Sequence, residues 1–250
     1  MGHHHRGRKE FAAAKACYQR ALMIDERTRG LEHPDVAEDL SLLGALFVAS
    51  GRPAEAEAPY QRALAILEKS HGTDHPEVAG VLSLLASLYD AQGKRDEAEP
   101  LFRKVVAVRD KVLGPNHPDL AVGMNTLAGL WIEQGKHEEA LPYVKRALAI
   151  IHQAFGPEHP EMARGYNNLA TIHREHGDHP QAEALFKRAI VILEKAGGPA
   201  HPGLVPVLEN YADLLRKMKR EPEAEALDKR AEGIRHPAVG AHPSTQLGAG

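Results

Sequence analysis

Apolar residues recur along the chain at helical spacing, in two alternating kinds of segment. The first kind carries Leu40, Leu43 and Phe47, at the intervals of three and four that are typical of a helix with one buried face. The second kind follows within a few residues and has the same spacing, as at Tyr60 and Ala63. The pattern therefore predicts an all-α chain of paired helices, which we call helix A and helix B of each pair.

One period organises these pairs. The dipeptide His-Pro returns every 42 residues, at positions 33–34, 75–76, 117–118, 159–160 and 201–202. A glycine column follows the same interval, at Gly51, Gly93, Gly135 and Gly177. Self-similarity at a fixed period indicates a repeat protein, whose helix pairs bury their apolar faces by stacking on their neighbours.

Each repeat has its own start and stop signals. Proline loses no useful N–H at a first helical position, and an acidic residue after it favours the positive end of the helix dipole. Helix A is therefore predicted to begin at His-Pro, as at Pro34 and Asp35. Gly51 and its counterparts are expected to end helix A, because glycine takes the left-handed conformation without a steric penalty. Small residues at Gly44 and Ala128 and in the rest of their column predict close helix packing.

These residues resemble a known family. The pattern Leu127-Ala128, Trp131, Gly135, Ala140 and Ala147 is similar to the tetratricopeptide repeat, and the 42-residue unit with Asn-Asn-Leu-Ala at 167–170 resembles the kinesin light chain subtype. The resemblance implies a right-handed superhelical solenoid of stacked antiparallel helix pairs. It further implies a concave wall of A helices that holds a peptide. The coiled-coil heptads of kinesin light chain do not occur here, so the resemblance extends to the repeat type and not to the motor-subunit role.

The repeats also predict the organisation of the chain. Residues 1–8 are expected to be tag-like or disordered, residues 9–235 to form the solenoid, and residues 236–250, with almost no apolar content, to be a disordered tail. The solenoid is divided into a half repeat at 9–32 and five repeats that start at 34, 76, 118, 160 and 202. A start in mid-repeat has two interpretations: the chain is a fragment of a longer protein, or the half repeat is an N-terminal cap.

Composition limits the partners and the cellular compartment that the sequence predicts. Thirty-one basic and 34 acidic residues give a net charge of −3, which predicts neither a nucleic-acid nor a membrane partner. The single cysteine, Cys17, cannot form an internal disulfide, and no apolar run of about 18 residues could cross a bilayer. We therefore expect a cytoplasmic protein, with Cys17 as a small packing residue rather than a reactive thiol.

Catalytic and cofactor motifs are missing from the sequence. It contains no phosphate-binding loop, no Gly-x-Ser-x-Gly elbow and no His-Glu-x-x-His, so we predict no enzyme, no cofactor and no metal. An enzyme with an unrecognised site in the groove is the rival prediction. The periodic histidines lie one per repeat, about 10 Å or more apart, and are expected to have a structural role at the start of helix A. For His173, His176 and His179 a zinc site competes with a core position of His173.

Positions between the core residues of helix A are expected to face the groove, with Ser41 and Leu84 among them. Ten of these positions are the candidate peptide site. They are Ser83, Ser87, Asn125, Thr126, Arg164, Asn167, Asn168, Thr171, Arg174 and Asn210. A carboxamide offers a donor and an acceptor to a peptide backbone, and a guanidinium could hold an acidic side chain or a C-terminal carboxylate. The alternative is that these asparagines only bond to neighbouring helices.

The sequence therefore predicts a non-catalytic adaptor or scaffold that binds a peptide segment of a partner protein, with an acidic segment as one option. The alternative is a sensory or interaction domain of a larger regulator or enzyme. Besides the candidate peptide site on helix A, we expect a second column, made of cations, on helix B. It is expected on the solvated outer face of that helix rather than in a phosphate-binding stripe. It consists of Arg62, Lys104, Arg146, Arg188 and Arg230.

Overall fold

The structure is a computed structural model that describes the backbone of residues 2–236 and the side chains of residues 11–236. Within residues 2–236 the chain forms α-helices, one short 3-10 helix at Pro53–Glu55 and no strand. The helices are α1 (Gly2–Arg29), α2 (Pro34–Ala49), α3 (Glu57–His71), α4 (Pro76–Ala91), α5 (Arg95–Leu113), α6 (Pro118–Glu133), α7 (His137–Phe155), α8 (Pro160–Glu175), α9 (His179–Gly197), α10 (Leu204–Lys217) and α11 (Glu221–Arg235).

The helices belong to two compact units. The N-terminal unit comprises residues 1–134, with α1 to α6, and the C-terminal unit comprises residues 135–250, with α7 to α11. In each unit every helix packs on the next, and successive A helices also touch, α2 with α4 and α8 with α10. This all-α arrangement of sequential helix pairs confirms the predicted fold class.

Large and small side chains alternate in the core. Tyr60 is buried on α3, and the glycine of the small-residue column, Gly44, lies against its ring. A methyl group at Gly44 would come within 2.5 Å of Tyr60 Cε1, closer than packed carbon atoms approach. The small-residue column therefore has the predicted packing role.

The structure explains why histidine precedes proline. His33, His75, His117 and His159 are the N-cap residues of α2, α4, α6 and α8. Each Nδ1 accepts a hydrogen bond from the backbone N–H two residues later, at 3.1–3.3 Å. The imidazole thus takes the role that serine or aspartate usually has at a helix N-terminus, and the predicted starts at proline are confirmed for these helices.

The fifth repeat departs from the pattern at both ends of its helix A. His201 Nδ1 still accepts from the N–H of Gly203, at 3.0 Å, but α10 begins at Leu204 and not at Pro202. Gly203 stands where the other repeats have an acidic residue. Glycine has low helix propensity and brings no negative charge to the first turn, which accounts for the later start of α10. At the other end Lys219 takes φ 61°, where the earlier repeats have glycine.

The chain ends relate differently to the predicted segments. Helix α1 begins at Gly2 and packs on α2. Apart from His236, the predicted tail at 236–250 lies outside the described residues. The predicted domain boundaries stay a prediction. Cys17 is exposed on α1, so its assignment as a packing residue is wrong.

Candidate functional site

The predicted site residues fall into both units. Ser83 and Ser87 lie on α4 and Asn125 and Thr126 on α6, in the N-terminal unit. The C-terminal unit holds the other six, with Asn210 on α10 and the rest on α8, at Arg164, Asn167, Asn168, Thr171 and Arg174. Each unit therefore has to be considered by itself.

An open pocket of about 600 Å³ lies between α2 and α4 in the N-terminal unit. Apolar and small residues form most of its wall: Ala37, Ser41, Leu67, Gly80, Val81 and Leu84. Leu84 is 38% exposed, and a Cβ added at Gly80 would meet no atom within 4 Å. The pocket therefore has free space beside Gly80 and an exposed leucine on its wall.

Carboxylates surround this pocket. Its lining includes Asp35, Glu38 and Glu77. Asp35 pairs with Arg29 Nη1 at 2.5 Å, and Glu77 Oε2 lies 3.5 Å from His71 Nε2. Glu38 makes no ion pair within residues 11–236. The rim therefore keeps negative charge that a cationic ligand could neutralise.

A second acidic group lies beside this rim. Burial raises the pKa of Asp39, and the neighbouring carboxylates of Asp25, Glu38 and Asp35 raise it further. Like charges disfavour ionisation, so these carboxylates add to the effect of burial on Asp39.

Ser83 and Ser87 also lie on α4, but neither lines the pocket. Ser83 is half-buried and Ser87 is exposed. Sequence reasoning placed Ser41 and Leu84 in the groove columns but did not single out Gly80, Val81 or the carboxylates. The exposed leucine beside a mid-helix glycine was the available signal, since glycine in a helix interior usually has a packing or functional reason.

Three of the predicted polar residues are buried. Asn125 is 1% exposed, and Asn168 and Thr171 are also in the interior. Thr171 Oγ donates to the Asn167 carbonyl oxygen at 3.0 Å, and Thr126 Oγ likewise donates to the Val122 carbonyl oxygen at 2.9 Å. Burial and bonds to their own helix limit what these side chains can offer a ligand, and their peptide-binding role stays a prediction.

In the C-terminal unit, polar side chains connect α8 with α10. Asn210 Nδ2 donates to Asn167 Oδ1 at 3.1 Å. Arg174 donates through Nη1 to the Asn210 carbonyl oxygen at 3.1 Å and through Nε to Glu175 Oε1 at 2.9 Å. Its side chain is 12% exposed. For Asn167 and Asn210 the structure therefore has the arrangement of the alternative prediction, bonds to a neighbouring helix, whereas Arg164 is exposed.

A carboxylate on α9 is also strongly held in this unit. Burial by itself would raise the pKa of Glu183, but hydrogen bonds from Lys187, Arg220 and Tyr211 outweigh burial and lower that pKa to about 2. The Arg220 and Tyr211 bonds, at 2.7 and 2.8 Å, join α9 to the loop after α10 and to α10 itself. Glu183 is thus a structural anion.

The second column of cations connects consecutive B helices. Arg62 pairs with Glu26 at 2.7 Å and Lys104 with Glu68 at 2.8 Å, and Arg230 pairs with Glu194 at 2.6 Å in the C-terminal unit. Arg188 instead lies over the Tyr166 ring, 4.9 Å from its centroid. These side chains remain partly exposed, as predicted, but their charges are used in inter-repeat contacts, which argues against a phosphate-binding stripe.

The three histidines near the end of α8 do not gather at one point. His173 is half-exposed, with Nδ1 3.3 Å from Asp178 Oδ2, so its expected core position is wrong. His176 Nε2 instead lies 3.2 Å from Glu138 Oε1. Among the described residues, the group of side chains that could share an ion lies elsewhere, at the α3–α4 junction.

None of the helices in the described part of the chain combines the length and hydrophobicity needed to span a bilayer. Among curated proteins, no sequence matches the chain.

Solved structures resemble the chain over most of its length. It is similar to BtubC (BKLC) from P. vanneervenii, with 25% identity and a TM-score of 0.70 over 98% of this chain and 96% of that one. It is also similar to a putative kinesin light chain of Podospora anserina with nearly identical TPR-like repeats, with 25% identity and a TM-score of 0.64 over 81% of this chain and 96% of that one. The apo form of RapI, at 13% identity and a TM-score of 0.70 over 94% of both chains, shares the fold alone.

The family model described as tetratricopeptide repeat matches residues 1–69, 60–111, 77–150, 119–195 and 177–235. Together with the kinesin light chain-like neighbours, this match confirms the resemblance found in the sequence. The chain belongs to the tetratricopeptide repeat family.

Proposed function

We propose that this chain is a non-catalytic interaction module that holds a peptide segment of a partner protein, with the pocket between α2 and α4 as its anchoring site. Tetratricopeptide repeat domains are in general protein-interaction modules and typically non-catalytic. The observation that carries the proposal is the open, apolar pocket of about 600 Å³. Pockets of this size, with apolar walls and a few polar groups, are the usual form of a binding site.

The anchor is an apolar side chain of leucine or isoleucine size. Burying such a side chain contributes about 1.5–3 kcal/mol, which by itself corresponds to weak binding. Contacts along the neighbouring A helices would supply the remainder. Ser41 Oγ donates to the Ala37 carbonyl oxygen at 2.8 Å, so Ser41 serves mainly as a small wall residue and leaves the pocket open.

Charge decides which segment is preferred at this pocket. The carboxylates of Asp35, Glu38 and Glu77 favour lysine or arginine next to the anchor, because opposite charges attract across a partly desolvated rim. The acidic segment considered from the sequence depended on Arg164 and Arg174. Since Arg174 is bonded within the C-terminal unit, we assign the anchor site to a basic segment.

A glycine-to-leucine exchange tests the proposal. Gly80→Leu would fill the pocket from its wall, and it should not harm the fold, since the site has free space and leucine favours a helix over glycine. Gly233→Leu is the matched control, because Gly233 is an exposed glycine of α11 that also has free space around its Cβ position.

Defined peptides provide the readout. Three sets would carry a leucine flanked by arginine, by glutamate or by serine, and binding would be measured by calorimetry. We expect the arginine set to bind best, and Gly80→Leu to weaken its binding about tenfold or more, the loss that 1.4 kcal/mol of anchor burial represents. Preferred binding of the glutamate set, or equal binding by Gly80→Leu and Gly233→Leu, would overturn the proposal.

A further inference from the structure

We propose a zinc-binding site on the N-terminal unit, formed by His71 at the end of α3 and by His75 and Glu77 at the start of α4. One ligand atom of each residue lies within 4.8 Å of the other two. The site is distinct from the anchor pocket in its ligand and in two of its three residues, since of these three only Glu77 lines the pocket.

The geometry brings two of the ligands close to coordination distance already. His71 Nε2 lies 3.5 Å from Glu77 Oε2. Two ligand atoms of a tetrahedral zinc ion, each at about 2.0–2.1 Å from the metal, are separated by about 3.3 Å. An ion between these two atoms therefore needs only small side-chain rotations. Both side chains are accessible from solvent, so the entry path is open.

The third ligand is brought near by ring stacking. The rings of His71 and His75 lie 4.3 Å apart between centroids, tilted by 34°. The same stack occurs in the fourth repeat between Phe155 and His159, also at 4.3 Å. In two repeats, therefore, an aromatic residue before the loop lies against the ring of the capping histidine. What is particular to the His71 position is the second imidazole.

The other repeats provide an internal comparison. The residues equivalent to His71 are Arg29, Leu113, Phe155 and Gly197. A capping histidine and an acidic residue occur in each of the first four repeats, but only the second repeat adds a second imidazole at the position of His71. The second repeat therefore completes a set of two imidazoles and one carboxylate on a scaffold that the others share.

The donor set selects the kind of ion. Two imidazoles and a carboxylate suit zinc and related transition metals, whereas Mg²⁺ and Ca²⁺ prefer oxygen ligands. Three protein ligands leave one tetrahedral position for water. An ion here would join the end of α3 to the start of α4 across residues 72–75, and would therefore stabilise the folded state by mass action.

Coordination by His75 competes with its capping role. Its Nδ1 accepts a hydrogen bond from the Glu77 N–H, and a neutral imidazole has one nitrogen free of hydrogen. Binding an ion through either nitrogen thus gives up the cap. Asparagine can cap a helix but is a poor zinc ligand, so His75→Asn separates the two roles.

The test uses the full chain with His3, His4 and His5 replaced by serine, because those adjacent histidines could bind zinc themselves. Zinc binding is measured by calorimetry, and Tm is measured with and without zinc. In this background His71→Leu, which introduces the residue that the third repeat has at this position, and His75→Asn are compared with the parent. Mg²⁺ serves as the control ion.

We expect one zinc per chain in the parent, with a zinc-dependent rise in Tm that Mg²⁺ does not reproduce. His71→Leu should weaken zinc binding about tenfold or more, since even second-shell losses cost 10–100-fold. His75→Asn should weaken it as well while keeping the metal-free Tm. Absence of saturable zinc binding in the parent, or undiminished binding by His71→Leu, would overturn the proposal.

Discussion

The two units are built from the same kind of helix pair, but the surfaces between their A helices differ. In the N-terminal unit, Ser41 of α2 and Leu84 of α4 stand beside an open pocket. Three repeats later, the equivalent residues Asn167 and Asn210 are joined by a hydrogen bond that bridges α8 and α10. The same pair of positions therefore lines a pocket in one unit and carries a hydrogen bond between two A helices in the other.

The charges at these surfaces also differ. Glu38 on the pocket rim has Arg164 as its equivalent in the C-terminal unit. The N-terminal unit raises the pKa of Asp39 through burial and neighbouring carboxylates, whereas the C-terminal unit lowers that of Glu183 through its hydrogen bonds. Repeats with common packing can thus carry separate binding preferences, because packing columns and surface columns vary independently.

The largest expected effect is on stability and concerns the buried aromatic column that the two units have in common. Tyr60 and Phe186 occupy the same column and are both fully buried, and truncation of a buried aromatic side chain costs about 3–5 kcal/mol. Tyr60→Ala and Phe186→Ala should each lower the free energy of unfolding by such an amount in denaturant titrations. A loss below about 1 kcal/mol for one of them would contradict the equivalence of the two cores.

The next effect is a difference between the two units in how the free energy of unfolding depends on pH. Because the folded pKa of Glu183 is lowered to about 2, its ionised form stabilises the protein above the unfolded pKa, near 4.5. That contribution is lost as the pH falls from about 4.5 towards 2. Glu183→Gln should therefore cost about 3 kcal/mol at neutral pH, since each pKa unit represents about 1.4 kcal/mol and folding lowers this pKa from 4.5 to about 2. Its penalty should shrink in acid.

Asp39→Asn is the matched carboxylate variant, and the sign is reversed. Its folded pKa is raised, so ionisation of Asp39 weakens folding as the pH rises through that pKa. We expect Asp39→Asn to keep or improve stability at neutral pH. Unfolding measured at several pH values compares the two variants, and equal neutral-pH losses would contradict the contrast between the units.

A smaller effect tests whether the pocket can be closed. Ser41→Asn with Leu84→Asn gives the N-terminal unit the residues of the C-terminal unit. A side-chain hydrogen bond across α2 and α4 should then obstruct the pocket and weaken binding of an arginine-flanked leucine peptide about tenfold, or 1.4 kcal/mol. Unchanged affinity of the double variant in calorimetry would mean that these positions do not control access.

The smallest effect is the coupling between the asparagines. A side-chain hydrogen bond contributes about 0.5–1.5 kcal/mol net, so Asn167→Ala and Asn210→Ala should show a coupling energy of this size in a double-mutant cycle. Additive losses would indicate that the bridge between α8 and α10 is not formed in solution.

The sequence predicts most of the fold because its signals are local and repeated. His-Pro marks four helix starts, and the glycines at 51, 93, 135 and 177 take the positive φ that was expected of them. The fifth repeat was predicted less well, since Gly203 delays α10. The capping bond of each histidine was not foreseen, because it depends on ring orientation and not on spacing.

The candidate site was less predictable, for a physical reason. Helical periodicity predicts the face of the helix on which a residue lies. It does not predict whether a residue on the next helix will form a hydrogen bond with its side chain. Asn167 and Leu84 were both assigned to the groove, yet the first bonds to Asn210 and the second stays exposed. The pocket volume and the His71–His75–Glu77 group likewise arise between helices that lie in different repeats.

Side-chain NMR during titration with an arginine-flanked leucine peptide tests the open and closed surfaces most directly. We expect the methyl resonances of Val81 and Leu84 to shift saturably, while the side-chain amide resonances of Asn167 and Asn210 stay in place. Shifts confined to the two asparagines, with unmoved methyl resonances at Val81 and Leu84, would contradict it.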